Sequence, residues 1–120
     1  MKATHKVIWD DVLQAEFHLF IGTREQLFRA KLCQKDDQIP DGWCGATIHM
    51  DCFDVIFINT EYKSTNWLRT LVHECVHAAT HLLRNVMPDS ESISVDTEEM
   101  VARYTEYLVG SFVGYLPTRR

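Results

Sequence analysis

A chain of 120 residues with 46% hydrophobic content and 24% charged residues has the length and composition of one domain, residues 1–120, with a core of its own. A net charge of −5, with lysines and arginines scattered and only Arg119-Arg120 locally basic, argues against a nucleic-acid surface. The longest apolar runs, such as Val55 to Ile58, are too short to cross a bilayer, and the start of the chain does not read as a signal peptide, so a cytoplasmic protein with no membrane partner is expected. Four cysteines (Cys33, Cys44, Cys52, Cys75) form no Cys-x-x-Cys pair, which excludes a zinc ribbon and leaves free thiols as the simplest expectation.

In chain order, alternation of Leu13, Ala15, Phe17, Leu19 and Ile21 with polar residues predicts a strand with one buried face, broken at Gly22. Thr23-Arg-Glu-Gln is a capping box, and it opens a predicted helix carrying Leu27, Phe28, Ala30 and Leu32 to about Gln34. Residues 36–42 are a loop by composition. Two strands are expected at 43–50 and 54–59, joined as a hairpin near Asp51, the second apolar enough to be buried on both sides.

Residues 68–83 place Leu68, Leu71, Cys75, Ala79 and Leu82 on one helical stripe, with Ser64, Thr65 or Asn66 as the cap and Asn85 with Pro88 as the stop. Nearly opposite that stripe lie His73 and His77, inside the pentapeptide His-Glu-Cys-Val-His. Two histidines four residues apart share one helical face and can converge on a single Zn²⁺. Glu74, about 100° around the helix, can serve as a general base without being a ligand. His81 follows one turn after His77, but about 12 Å of axial rise separates it from His73, too far to join the same ion; it is either a solvated histidine or a residue lining the pocket. His5, His18 and His49 fall outside the motif and are expected on the surface or on strands. Cys75 points to the core side of the stripe, which argues against a nucleophilic role.

A catalytic zinc site needs a third protein ligand. The extended pattern with a third histidine after a glycine turn is excluded, since Thr80 and Leu83 hold those positions. A second helix is expected from Asp96, its apolar face formed by Met100, Val101, Tyr104, Leu108 and Phe112, with Asp96 as N-cap and Glu99 at the capping-box position. Glu98 and Glu99 in its first turn are either dipole-favourable acids or the missing ligand.

With these residues in place, the chain resembles the gluzincin metallopeptidases, whose third zinc ligand is a glutamate on the helix after the His-Glu-x-x-His helix. Over residues 55–109 it is most similar to the small ImmA/IrrE-like branch of phage and bacterial genomes. Leu71-Val72 before His73, Ala78-Ala79 after His77 and the run Glu99-Met100-Val101-Ala102 suit that branch. The resemblance implies one zinc per chain, held by His73, His77 and Glu99, with Glu98 as the alternative to Glu99. It also implies an α+β, minimal zincin-like fold, in which a small three-stranded sheet packs behind the zinc helix and the following glutamate helix. The expected activity is hydrolysis of a peptide bond in a protein or peptide substrate, which in this branch is often a specific repressor. Glu74 would then be the general base, with Tyr104 or Tyr107 as the candidate oxyanion donors. The competing reading is a metal-binding regulatory or interaction protein that keeps the zinc site without proteolysis.

Overall fold

A computed structural model describes residues 2–33, 39–62, 66–86 and 95–117. Among these residues four strands, β1 (Thr4–Asp10), β2 (Ala15–Gly22), β3 (Gly45–His49) and β4 (Asp54–Asn59), accompany three α-helices, α1 (Arg24–Arg29), α2 (Trp67–Val86) and α3 (Val95–Phe112), the last followed by a 3-10 turn at Val113–Tyr115. The strands form one mixed sheet in the order β1-β2-β4-β3. β2 and β4 run parallel, while β1 pairs antiparallel with β2 and β3 antiparallel with β4. The architecture is therefore α+β.

All six residues of β4 are buried, because helices and loops cover both faces of the sheet there. On one face Phe17, Leu19, Ile21, Ile56 and Ile58 meet Leu71, Cys75, Ala78 and Ala79 of α2 and Leu108 and Phe112 of α3. On the other face Phe20, Val55, Phe57, Ala46 and Ile48 meet Leu27 of α1 together with Leu32, Cys33 and Ile39. A strand apolar on both sides is what a central position demands.

The sheet has four strands where the sequence suggests three. β1 escapes the periodicity argument because its residues, Thr-His-Lys-Val-Ile-Trp-Asp, lie at an edge and none is fully buried; pairing with β2, not burial, makes it a strand. The Asp10 carboxylate accepts from the backbone N–H groups of Val12 and Leu13 and so fixes the turn into β2. Leu13 and Gln14 belong to that turn, with Gln14 at φ 53°, and β2 starts at Ala15.

The capping box at Thr23 and Gln26 forms as its spacing demands, with both reciprocal bonds present. Helix α1 nevertheless ends at Arg29, five residues before the expected boundary, because Lys31 takes a left-handed backbone (φ 60°) and turns the chain. Gln34 and residues 36–38 of the predicted loop lie outside the described residues, as do Ser64, Thr65 and Pro88.

Helix α2 carries the histidine motif, so its seat on the sheet decides the site. Asn66 is its cap, the Asn66 side-chain oxygen accepting from Arg69 N–H at 3.1 Å. Its buried face runs through Leu71, Cys75, Ala78, Ala79 and Leu83, and Leu68 is 49% exposed, so the stripe is rotated slightly from the expected one. Small side chains let the helix lie close to the sheet. At the start of β3, Gly45 lets it lie closer still: a Cβ there would stand 2.6 Å from the Thr70 methyl and 2.7 Å from the Phe57 carbonyl oxygen. Helix α3 begins at Val95, which puts Asp96 in the first turn and not at the cap.

Gly45→Ala is expected to push α2 away from β3 and lower stability by about 1–3 kcal/mol, read as a lower denaturant midpoint at unchanged slope. A second expectation concerns the Tyr104 hydroxyl on α3, which donates to the Asp10 carboxylate at 2.7 Å and ties the two ends of the chain together. That bond holds the Asp10 carboxyl below its ordinary range, so its stabilisation is present above pH of about 4 and fades as acid protonates Asp10. The difference in melting temperature between the wild type and Tyr104→Phe should therefore be largest near neutrality and shrink toward pH 3.

Candidate metal centre

Along α2, His73 and His77 project from one face, and their Nε2 atoms lie 3.2 Å apart with the rings edge to face. Two nitrogens bound at 2.0–2.1 Å to a tetrahedral ion are separated by about 3.3 Å, so this pair suits zinc without rearrangement of the helix. Both histidines are solvent-accessible and line an open cleft of about 1350 Å³, larger than a typical small-molecule pocket. Strand β3, the edge strand at the opposite side of the sheet from β1, forms the opposite wall.

Glu74 differs from its neighbours. Its side chain is only 9% exposed, yet one carboxylate oxygen stands 4.0 Å from His73 Nε2. It is held from β3: the Thr47 hydroxyl lies 2.9 Å from Glu74 Oε1 and 2.8 Å from the Glu74 carbonyl oxygen, and its single proton is shared between them. A buried carboxylate with a fixed donor on one oxygen keeps the other aimed along a defined direction, here toward the histidine pair. Beneath it, the position a Gly45 Cβ would take is 3.5 Å from Glu74 Cγ, so the glycine also makes room for this side chain.

The expected third ligand is placed differently. Glu99 lies on the exposed side of α3, accepts a bond from Arg103 Nε at 3.0 Å, and does not join the group formed by His73, Glu74 and His77. At about 100° per residue, Glu98 falls about 50° from the centre of the buried stripe through Val101, Thr105, Leu108 and Phe112. Glu99 falls about 150° away; both are exposed, and neither carboxylate joins the group formed by His73, Glu74 and His77. The Tyr104 and Tyr107 rings meet at a tilt of 57°, Tyr104 bonds to Asp10, and neither borders the cleft. Burial, with a smaller contribution from the Glu74 charge, pushes the Cys75 thiol up to about 12, which keeps it protonated and inert.

Thr47 escapes sequence reasoning, because a threonine in a strand has no signature and its contact to Glu74 spans 27 residues. The same holds for His49 and Asp54, which the fold brings to His81 at the far end of the cleft. Of the two readings open for His81, solvated or pocket-lining, the structure places it along the cleft.

Thr47→Val preserves shape but leaves a buried Glu74 oxygen without its donor. It should cost about 1–3 kcal/mol of stability, and Thr47→Ser should restore most of it; paired thermal melts of the two variants check this. No protein-family model, curated protein or solved structure matches the chain.

Proposed function

We propose that the chain is a cytoplasmic zinc metallopeptidase with a minimal zincin-like fold. His73 and His77, with a carboxylate from the first turn of α3 (Glu99 or Glu98), would hold one zinc ion. The observation that carries this reading is the convergence of two imidazole nitrogens beside a buried, pre-oriented glutamate on the floor of an open cleft. Zinc, when bound in such a site, supplies Lewis acidity that brings a water molecule's pKa toward neutrality and polarises a carbonyl.

The chain's own residues supply the rest. Glu74 takes the proton of the attacking water and passes it to the leaving amine. Thr47 keeps the Glu74 carboxylate oriented through both transfers. Edge strand β3 offers unpaired backbone groups on which an extended peptide can add as a further strand, beside the metal ligands. Although the chain is acidic overall, among the described residues Arg69, Arg84 and four histidines line the cleft against a single lining acid, Glu74, which favours peptide segments carrying negative charge.

The second reading is a metal-binding interaction protein without turnover. It is favoured by the outward ion pair of Glu99 and by the distance of both tyrosines from the cleft. The two readings separate on Glu74→Gln. Purified zinc-loaded protein is incubated with a proteome-derived peptide library and new termini are read by mass spectrometry. Hydrolysis is expected from the wild type, with a loss of about 10²–10⁴-fold in Glu74→Gln at unchanged zinc content. Retention of full cleavage in that variant would sink the general-base role. Absence of cleavage by both, with zinc bound, would favour the interaction protein.

A further inference from the structure

We propose that His49, Asp54 and His81 form a second divalent-metal site, distinct from His73 and His77, that clamps strands β3 and β4 to helix α2. This inference does not rest on the peptidase reading. Three donors arrive from three elements: His49 ends β3, Asp54 opens β4, and His81 lies one turn beyond His77 on α2. The Asp54 side chain is 9% exposed, and each of its oxygens faces one imidazole: Oδ1 stands 3.0 Å from His49 Nδ1 and Oδ2 stands 3.2 Å from His81 Nδ1. The two rings stack with centroids 3.6 Å apart, so one ligand atom from each of the three residues falls within 4.8 Å of the others.

The two nitrogen–oxygen separations are close to the edge of about 3.3 Å between donors on a tetrahedral zinc, and the 4.8 Å span of the three donors closes to that size by small side-chain rotations about the Asp54 carboxylate. Two imidazoles and a carboxylate are also the donor set that borderline divalent ions such as zinc prefer over magnesium or calcium. Electrostatics point the same way. Among the described residues, Asp54 has no lysine or arginine partner and depends on the two histidines. A divalent ion compensates a buried carboxylate. Asn85, whose side-chain nitrogen stands 3.5 Å from His81 Nε2, places a rotatable amide beside the ring nitrogen opposite the one facing Asp54, as outer partners of ligating histidines do. His49 and His81 both line the cleft, which leaves the site open to an entering ion.

The test is zinc stoichiometry, by equilibrium dialysis of untagged protein against zinc chloride followed by elemental mass spectrometry. The panel is the wild type, His73→Ala/His77→Ala, Asp54→Asn and the combination of all three substitutions. Asp54→Asn keeps the side chain's shape while removing its charge; circular dichroism verifies folding, and His49→Ala serves as a second lesion of the same site. Two zinc ions in the wild type, one in His73→Ala/His77→Ala, one in Asp54→Asn and in His49→Ala, and none in the combination are expected. A single zinc that survives His73→Ala/His77→Ala and is lost in Asp54→Asn upholds this site and overturns the first one. A single zinc that is lost in His73→Ala/His77→Ala and kept in Asp54→Asn overturns this proposal, leaving the triad a hydrogen-bonded cluster.

Discussion

The close seating of α2 on the sheet is the constraint from which the rest of the molecule follows. One face of this helix must be small and apolar enough to lie flat on β4, and the other must stay polar and open. Cys75, Ala78 and Ala79 satisfy the first requirement, and the absence of a side chain at Gly45 lets β3 approach without collision. Packing at interior density fixes the helix in rotation as well as position. That fixed rotation turns His73 and His77 toward the cleft and presses Glu74 against Thr47.

The sheet's edge order then acquires a meaning. Because β3 is the outer strand on the cleft side and β1 the outer strand on the other, the wall facing the histidines has free backbone groups next to a polar floor. The far edge is tied back to α3 through Tyr104 and Asp10, and exposes Val7, Trp9 and Val12 in place of a groove. The polar cluster at the end of β3 and the start of β4 extends the histidine-rich floor by one helical turn. The cleft consequently presents a row of nitrogen donors along α2 instead of one isolated pair.

Much of this could be read from the residues alone. The unbroken apolar run of β4 identifies a strand and its double burial. Alternation in β2 identifies the strand but not its burial: one buried face is expected, yet Phe17–Gly22, His18 included, are all buried because β2 lies inside the sheet between β1 and β4. Thr23 and Gln26 announce a helix start through local bonds that need no distant partner. Strand β1 was not legible, since an edge strand needs only a neighbour to pair with and its side chains carry no burial pattern. The end of α1 was not legible either, because a left-handed Lys31 is a backbone choice imposed by where the chain must go next.

For the candidate site, the division follows the range of the interaction. The sequence by itself determined that His73 and His77 share a face with Glu74 beside them, because helical spacing places residues four apart in contact whatever surrounds the helix. It likewise determined that Cys75 is inward, by the same periodicity. Tertiary structure alone left both Glu98 and Glu99 exposed on α3, outside the group formed by His73, Glu74 and His77, since that depends on the rotation of a second helix packed against the first. It alone brought Thr47 to Glu74 and joined His49 and Asp54 to His81, contacts between residues 27 apart or across a hairpin that no local rule encodes. Local periodicity specifies what one element presents; only packing specifies what it is presented to.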